Sequence, residues 1–431
     1  WSLLSFAAPS IIMMVFMSLY TIVDGIFVSR FVGSNALSSL NIVYPVVNVA
    51  IAIAMMLASG GNAIISKYLG EGNKKRACES LTQFVTVCIL VSLVIVVISQ
   101  VFLTEISRLL GSNEVLLTDC KSYLGMVSLF IPACMLQTLF QMYLVTAGRP
   151  TMGLLLMIGA GIVNAVLDYV LIVICDMGVA GAALATGISQ IVGSIIPIIY
   201  FLSDKSDVLK LQKARFNKDI IIKTCINGSS EMVTNMSMSL VNMLYNTQLM
   251  RLAGADGVAA YGVIMYANFI FAAIYLGYSM GSAPITSYNY GAGNHSELKN
   301  MLKKSLSLIA ITGVCLTLIS EFFSHPLINI FVGYDADLFA MTLHGFRLYA
   351  FVFLINGFNI WASSFFTALN NGVVSGMIAF LRTLLFQIGC IMLLPLVLGL
   401  NGIWMGVVVA EMLTLIVTVY FLRSRKNVYH Y

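Results

Sequence analysis

The sequence has few charged residues. They make up 10% of its 431 residues, whereas an ordinary soluble chain carries about 25%. Hydrophobic residues account for 59%, and the mean hydropathy is +0.95. This composition excludes a globular enzyme with a single soluble core, and we expect a lipid bilayer to surround most of the chain.

The sequence also lacks the patterns that would indicate a disulfide framework or a zinc site. Its eight cysteines are scattered, without a Cys-x-x-Cys pair and without a histidine at metal-ligand spacing. The chain opens on Trp1 directly into apolar sequence, without a methionine or a basic leader. We therefore expect the true N-terminus to lie before Trp1.

Long apolar runs dominate the chain. A membrane-spanning helix needs about 20 apolar residues, and each run meets this length before it ends at Gly, Pro, Asn or a charge. The strands of a membrane β-barrel would be about ten residues long with alternating hydrophobicity, which these continuous runs do not show. The pattern predicts an all-α integral membrane protein with twelve spans. In order, they cover residues 3–28, 37–59, 81–103, 122–147, 151–174, 178–202, 220–250, 257–288, 302–322, 344–369, 373–398 and 402–422.

The lysines and arginines predict the orientation of these spans. Seventeen of the 23 fall in one set of connections or within three residues of it, five fall in or beside the opposite set, and Arg382 lies well inside a span. Because cytoplasmic loops carry an excess of Lys and Arg, we expect a multi-pass cell-membrane protein with both termini in the cytoplasm. The net charge of +5 then reflects topology, and no nucleic-acid partner is expected. The seventeen are Lys67, Lys74, Lys75, Arg76, Arg149, Lys205, Lys210, Lys213, Arg215, Lys218, Lys223, Lys299, Lys303, Lys304, Arg423, Arg425 and Lys426.

An internal repeat divides the chain into two halves. An offset of 221 residues aligns Gly60 with Gly281 and the stretch GEGNKK after span 2 with GAGNHS after span 8. The offset covers six spans, an even number, so the halves share one topology and are related by a pseudo-twofold axis along the membrane normal. We predict two six-helix lobes, 1–202 and 220–431, joined by a charged linker at 203–219. Two lobes that face each other across a cleft are typical of a transporter.

Four of the eighteen acidic residues lie inside predicted spans and away from their C-terminal ends, whereas Glu321 lies one residue before the end of its span. A charge at membrane depth costs at least about 2.5–3.5 kcal/mol on insertion scales, so each of them calls for a partner or a function. Asp24 on span 1 follows Tyr20 by one helical turn. Asp168 on span 5 follows Asn164 by four residues, which places both on one face of the helix. The four buried acids are Asp24, Asp168, Glu231 and Glu411.

The acids of the first lobe suggest a cation site. Two carboxylates that converge in an apolar bundle can share a proton, because like charges repel strongly there. With the amide oxygen of Asn164 and the hydroxyl of Thr186 on span 6, Asp24 and Asp168 also form an all-oxygen set that suits a hard cation such as sodium. The alternative is a structural role, in which hydrogen bonds to neighbouring helices satisfy both aspartates.

The second lobe contains the other intramembrane charges. Glu411 on span 12 and Arg382 on span 11 are opposite charges on adjacent helices, so we expect either an ion pair or attraction of a cationic substrate by Glu411. Glu231 near the start of span 7 is expected to line the cleft or its cytoplasmic opening. The residues predicted to line the cleft are Tyr123, Gln141, Glu231, Asn242, Glu411 and Arg382.

The motifs occur in a characteristic order along nearly the full chain. In sequence they are Pro9, Tyr20 and Asp24 on span 1, the Gly-x-Gly-Asn turns after spans 2 and 8, Asn164 and Asp168 on span 5, and Thr186 on span 6. With the twelve-span duplication, this order resembles the multidrug and toxic compound extrusion (MATE) transporters. The resemblance implies that the Asp, Asn, Asp and Thr of the first lobe form the cation site, beside Tyr20. It also implies that span 1, bent at Pro9, links occupancy of the site to drug release.

The sequence departs from one branch of that family. The branch places its coupling site in the second lobe, with a Glu on helix 7 and a Tyr and an Asp on helix 10. Here Glu231 lies only three residues after Gly228, and span 10 contains no acid. At the repeat-related positions, Tyr245 corresponds to Asp24 and Gly389 to Asp168. A first-lobe site is therefore favoured.

The resemblance implies a monomeric antiporter that uses sodium or protons to export small cationic or amphipathic organic compounds by alternating access. For sodium, the ligands would be Asp24, Asn164, Asp168 and Thr186, and no other cofactor is expected. A flippase for a lipid-linked precursor is the alternative, but it would need several basic residues in the cleft, and only Arg382 lies deep within a span. No enzymatic activity is expected, because the spans contain no Ser/His/Asp or metal-ligand set.

Overall fold

The computed structural model describes residues 2–431, with all side chains in that range except those at 26, 29, 34 and 37. The prediction that the true N-terminus lies before Trp1 concerns a residue outside the described range. No strand occurs in the described part of the chain. The helices are α1 (Ser2–Phe31), α2 (Ser34–Gly70), α3 (Lys74–Val101), α4 (Leu103–Leu109), α5 (Leu117–Leu129), α6 (Ile131–Thr146), α7 (Pro150–Asp168), α8 (Gly178–Leu202), α9 (Lys218–Asn227), α10 (Ser229–Gly291), α11 (His295–Phe322), α12 (Ser324–Val332), α13 (Ala336–Tyr349), α14 (Val352–Ala368), α15 (Gly372–Phe380), α16 (Gln387–Leu398), α17 (Leu400–Ser424) and α18 (Lys426–Tyr429), with π-helical segments at Tyr169–Ile174 and Leu381–Phe386.

These helices make twelve membrane crossings, as the sequence predicts. Among the described residues, nine continuous helical stretches are long and apolar enough to cross a membrane. Two bent pairs, α5 with α6 at 53° and α13 with α14 at 48°, each add one crossing. The 63 residues of α10 contain the remaining crossing, because Gly254 (φ 68°, ψ −155°) reverses the chain in the middle. An unbroken helix of that length would extend about 95 Å, three times the thickness of the hydrocarbon core.

Four short helices, α4, α9, α12 and α18, lie outside the predicted spans or divide them. The predicted span 220–250 is interrupted at Gly228, where α9 ends and α10 begins. Hydropathy does not detect such breaks, because the residues on both sides are apolar enough to continue a span.

Two large apolar cores correspond to the two lobes. The first joins buried residues of α2, α3 and α6, with Phe84, Phe140 and Tyr143 among its fully buried rings. The second joins α10, α13, α14 and α17 around Trp361 and Trp404. The bounds of the lobes remain predictions.

We call the end of the bundle that carries the lysine- and arginine-rich connections the basic face. The linker after α8 lies against it: Lys74 Nζ donates to the carbonyl oxygen of Asp207, and Gln212 Nε2 donates to that of Lys75 at 3.4 Å. α1 begins and α2 ends at the basic face, so the loop between α1 and α2 lies at the opposite face. The two faces therefore differ strongly in charge.

The lobes meet at the basic face through a pair of repeat-related glycines. A Cβ atom at Gly70 would overlap the carbonyl oxygen of Tyr288, and one at Gly291 would overlap that of Lys67. The offset of 221 residues relates Gly70 to Gly291 and Lys67 to Tyr288. The same contact thus occurs twice about the pseudo-twofold axis, and glycine is needed because the backbones of α2 and α10 touch.

Hydrogen bonds reinforce this contact between the lobes. Ser287 Oγ donates to the carbonyl oxygen of Ala63 at 2.5 Å, and Asn370 Nδ2 donates to the same oxygen at 3.3 Å. Asn227 Nδ2 donates to the carbonyl oxygen of Gly60 at 3.4 Å. The lobes are therefore closed against each other on the side of the basic face.

Candidate functional site

Helices α1 and α7 approach closely in the first lobe. Gly161 on α7 permits this approach, since a Cβ atom there would lie 3.1 Å from the ring of Phe16 and 3.7 Å from that of Tyr20. The rings of Phe16 and Tyr20 stack along α1 with centroids 6.5 Å apart. This packing brings the polar residues that follow on both helices to the same level.

The carboxyl groups of Asp24 and Asp168 lie within hydrogen-bonding reach of each other. Asp168 is 3% exposed and is the last residue of α7 before the π-helical segment Tyr169–Ile174. Such π-helical turns are frequent at functional sites, because they widen the helix and redirect its side chains. Two carboxylates this close cannot both remain charged without a shared proton or a cation between them.

Asn164 and Thr186 lie at the same site. Asn164 is 1% exposed, and its Nδ2 donates to Thr186 Oγ1 at 3.2 Å. Asn164 Oδ1 and Asp168 Oδ1 are buried and have no hydrogen-bond partner in the described part of the protein. Buried polar atoms are nearly always satisfied, so two free oxygens beside a carboxylate pair fit the ligand set of a hard cation.

Two tyrosines complete the surroundings of the carboxylates. Tyr20 on α1 and Tyr123 on α5 each interact electrostatically with both Asp24 and Asp168. The sequence assigned Tyr20 to the cation site but Tyr123 to the cleft lining, and Tyr123 lies near the carboxylate pair. Tyr44 on α2 interacts with Tyr123 and was missed, because nothing in its sequence neighbourhood distinguishes it from the other tyrosines.

This cluster of Asp24, Asn164, Asp168, Thr186, Tyr20 and Tyr123 lies toward the face opposite the basic face. Asp24 is seven residues before the end of α1, and Thr186 is eight residues after the start of α8. At about 1.5 Å per residue, both lie roughly 10 Å from the ends of their helices. The candidate site is therefore far from the glycine contacts that close the lobes.

The second lobe has no equivalent carboxylate pair. Tyr245, the counterpart of Asp24, is 1% exposed, and its ring stacks on Tyr261 with centroids 4.9 Å apart. A Cβ atom at Gly389, the counterpart of Asp168, would meet nothing within 4 Å. Aromatic packing thus replaces the carboxylate of Asp24, and a glycine without a side chain replaces Asp168.

The second lobe instead contains an ion pair between the half-buried Arg382 and the buried Glu411. Arg382 Nε lies 2.8 Å from Glu411 Oε1. Asn359 Nδ2 donates to Glu411 Oε2 at 2.7 Å and to the Glu411 carbonyl oxygen at 3.0 Å, and Thr418 Oγ1 donates to Asn359 Oδ1 at 2.9 Å. The Glu411 carboxylate therefore has a partner for each oxygen. Arg382 lies in the second π-helical segment, Leu381–Phe386.

The remaining predicted residues lie apart from the candidate cation site. Gln141 borders a small cavity inside the first lobe, beside Gly153 and Gly193. Asn242 Oδ1 accepts a hydrogen bond from Tyr261 within the second lobe at 3.2 Å. Both contacts lie within the lobes, and the cleft-lining role of Gln141 and Asn242 stays a prediction.

Glu231 and Pro9 lie closer to the basic face than the cation site does. Glu231 is half-buried in the first turn of α10 and interacts electrostatically with Arg382. Pro9 is half-buried in α1, which continues through it as one helix.

A family model supports the repeat. The model named MatE matches residues 9–170 and again residues 232–392. Together, the two matches cover about three quarters of the chain, one in each half.

Curated relatives match over nearly the full length. The multidrug export protein MepA of Staphylococcus saprophyticus is 26% identical, over 99% of this chain and 94% of that protein. The multidrug export protein MepA of Staphylococcus aureus is 23% identical, over 99% of this chain and 95% of that protein.

Solved structures show the same fold. A crystal structure of MATE in complex with MaL6 has a TM-score of 0.94 at 20% identity and covers 99% of this chain and 96% of that one. The outward-facing conformation of a multidrug resistance MATE family transporter of the MOP superfamily has a TM-score of 0.93 at 21% identity, with the same coverage.

Proposed function

The chain belongs to the MATE family of membrane transporters, and from this premise we propose that it is a multidrug exporter that exchanges its substrate for sodium or a proton. The substrates would be small cationic or amphipathic organic compounds, moved out of the cell by a monomer without enzymatic activity. Its similarity to the multidrug export protein MepA supports export of several drugs. The family and the twelve crossings support a multi-pass location in the cell membrane.

The proximity of Asp24 and Asp168 carries this proposal. The unpartnered oxygens of Asn164 and Asp168 add ligands beside the pair, so the set would accept sodium directly. A proton would bind between the carboxylates instead. Either ion relieves the repulsion between two negative charges in a low-dielectric bundle.

Helix α1 supplies the link between the cation site and the contact of the lobes. Asp24 lies near one end of α1. Near the other end, Ala7 packs so closely against Gly281 on α10 that a Cβ atom at Gly281 would overlap it. Pro9 lies between them and removes a backbone hydrogen bond, which makes it the natural hinge. Cation binding at Asp24 would bend α1 at Pro9 and so change the contacts at Ala7.

The basic face is proposed to be cytoplasmic, by the positive-inside rule. The cation would then enter from the outside and bind near the outer surface, opposite the basic face. The membrane potential supplies about 2.3 kcal/mol per charge per 100 mV, so one entering ion supports roughly fiftyfold accumulation of an uncharged substrate outside the cell. Exchange of one ion for a monovalent cationic substrate moves no net charge, and the concentration gradient of the ion then drives it. The basic-face closure of the lobes corresponds to a state closed to the cytoplasm.

A flippase has less support. It would need basic groups in the cleft to hold a pyrophosphate, and Arg382 is already engaged by Glu411 at 2.8 Å. Among the described residues, no other basic side chain lies deep within a predicted span, since Lys223, Lys303, Lys304 and Arg347 are all within three residues of the start of theirs.

Counterflow of a fluorescent cationic dye in proteoliposomes tests the proposed function. An imposed sodium gradient or an imposed pH gradient is expected to accelerate dye export, and the gradient that does so identifies the coupling ion. Export that responds to neither gradient would contradict cation coupling, and the absence of any protein-dependent dye movement would contradict the exporter itself.

A further inference from the structure

Glu231 lies between two contacts of α10 with the first lobe. Gly228, three residues before it, is pressed against the carbonyl oxygen of Met56 on α2, where a Cβ atom would overlap. Asn235, four residues after it, accepts a hydrogen bond at its carbonyl oxygen from Asn48 Nδ2 on α2 at 3.1 Å. Positions three and four apart share one face of a helix, so Glu231 is on the face of α10 that meets the other lobe.

The carboxylate of Glu231 has no hydrogen bond or ion pair with any described residue. Only its backbone is engaged: its N–H donates to the Gly228 carbonyl oxygen at 3.1 Å, and its carbonyl oxygen accepts from Asn235 Nδ2 at 2.8 Å. An intramembrane carboxylate without a partner is costly, and such residues mark substrate or ion pathways.

The neighbouring ion pair leaves the charge of Glu231 uncompensated. Arg382 acts on Glu231 electrostatically, but its ion pair is with Glu411. Asn359 binds both a side-chain and a backbone oxygen of Glu411, which keeps this carboxylate in place for Arg382. The one guanidinium group is therefore paired with Glu411, and the negative charge of Glu231 remains without an ion pair.

The chemistry favours an organic cation at this position. Sodium needs several oxygen ligands to replace its water, and beside Glu231 the described residues offer one unpartnered oxygen close in sequence, Asn227 Oδ1, whose amide is held by bonds to Gly60 and Asn370. A bulky organic cation is weakly hydrated and needs only one counter-charge beside apolar helix surface.

We propose that Glu231 binds the positively charged group of a monovalent organic substrate between the lobes, just inside the basic face, and that Glu411 preserves this site by holding Arg382. The inference rests on the proposed exporter function and names the residue that recognises its substrate. When the lobes separate at the basic face, Glu231 becomes the first buried acid that a cation from that side encounters. Glu411 is a positioning residue, because it acts through Arg382.

Ethidium, a permanent monocation, provides the test. We expect Glu231→Gln to raise the KM for gradient-driven ethidium export in proteoliposomes about tenfold, with an unchanged maximal rate at saturating ethidium. Glu411→Gln releases Arg382 to pair with Glu231 and should raise the KM similarly. The double variant Arg382→Met with Glu411→Gln should bring the KM back toward the wild-type value. Glu297→Gln, at an exposed acid on the basic face, is the matched control.

An unchanged KM in Glu231→Gln would overturn the inference, and so would a lost maximal rate with an unchanged KM. If the KM of the double variant did not return toward the wild-type value, Glu411 would have no positioning role. Glu231→Asp keeps the charge and should retain ethidium affinity, which separates loss of charge from misfolding. If the wild-type protein moves no ethidium under either gradient, the proposed exporter function fails instead, before any variant is compared.

Discussion

Asn164 donates its side-chain amide hydrogen to Thr186 Oγ1 at 3.2 Å, and this bond joins α7 to α8 beside Asp24 and Asp168. The bond also orients the amide. With Nδ2 engaged by Thr186, Asn164 Oδ1 is left buried and unpartnered, as is Asp168 Oδ1. The hydroxyl of Thr186 therefore helps to present an oxygen of Asn164 to a cation.

Replacing Thr186 with valine should weaken cation binding without unfolding the lobe. An interhelical hydrogen bond in a membrane is worth about 0.6 kcal/mol, so the half-saturating concentration of the coupling ion should rise about threefold in Thr186→Val. Dye export measured against ion concentration in proteoliposomes gives this value. Thr138→Val is the control, since Thr138 bonds only the Cys134 carbonyl oxygen on its own helix at 3.0 Å. A wild-type ion dependence in Thr186→Val would contradict the role assigned to this bond.

The glycine pair at the basic face should control closure of the lobes. In Gly70→Ala, the new Cβ atom would overlap the Tyr288 carbonyl oxygen, so the lobes must separate there. Overpacking of this kind costs about 1–3 kcal/mol, which shifts the equilibrium at least about fivefold toward the open state. Ala63→Cys reports the change, because Ala63 is 0% exposed in the closed lobes. Its labelling by an impermeant maleimide, in a background free of native cysteine, should accelerate at least about fivefold.

The repeat predicts the same result for Gly291→Ala, whose Cβ atom would overlap the Lys67 carbonyl oxygen. Gly159→Ala is the control, because nothing lies within 4 Å of a Cβ atom at Gly159. Equal labelling rates in all three variants would show that the glycines do not set the closure.

Breaking the ion pair between Arg382 and Glu411 should strongly destabilise the second lobe. Arg382→Gln leaves Glu411 buried and unpaired, which costs about 3–5 kcal/mol in the free energy of unfolding. Denaturant titration in detergent measures this loss. The double variant Arg382→Gln with Glu411→Gln should recover most of it, because neither position of the pair then carries a charge. Arg108→Gln breaks an exposed pair with Glu114 at 3.6 Å and should cost less than about 1 kcal/mol. A loss for Arg382→Gln no larger than this would contradict the account of the pair.

Tyr431 should anchor the segment after α17. Its side chain is 3% exposed, its hydroxyl donates to the Leu422 carbonyl oxygen at 2.9 Å, and its ring lies 5.2 Å from that of Phe365. We expect Tyr431→Phe to lose about 1 kcal/mol of unfolding free energy, and Tyr431→Ala about 3–5 kcal/mol. The same titration measures both. Tyr334→Ala, at a side chain 85% exposed, should be neutral, and an equal effect of the two alanine variants would exclude an anchoring role.

Much of the fold could be predicted, because unpaired polar groups are costly in lipid. The sequence alone therefore shows which segments are apolar enough to span the membrane. The polar composition of residues 251–256 predicted that the chain reverses there. In the structure the backbone is helical on both sides of Gly254, and the reversal occurs at that one residue. The breaks inside crossings were harder, because Gly228 and the bend between α5 and α6 lie in apolar surroundings. Tertiary packing, and not composition, decides where such helices divide.

The candidate site was only partly predictable. Intramembrane acids are rare enough that Asp24 and Asp168 were conspicuous, and the resemblance gave Asn164 and Thr186. Tyr123 and Tyr44 were not assigned to the site, because aromatic residues make up 11% of the chain and carry no individual signal. The repeat aligned Gly70 with Gly291, but alignment could not show that each contacts the opposite lobe, since that contact depends on how the lobes close.

Gradient-driven export by Asp24→Asn and Asp168→Asn tests the central claim most directly. Wild-type and variant proteins would be reconstituted in proteoliposomes, with Asp256→Asn, at an exposed acid, as control. The account predicts that neither imposed gradient accelerates dye export in Asp24→Asn or Asp168→Asn, whereas Asp256→Asn responds as the wild type does. Export at the wild-type rate under the same gradient in both site variants would contradict it.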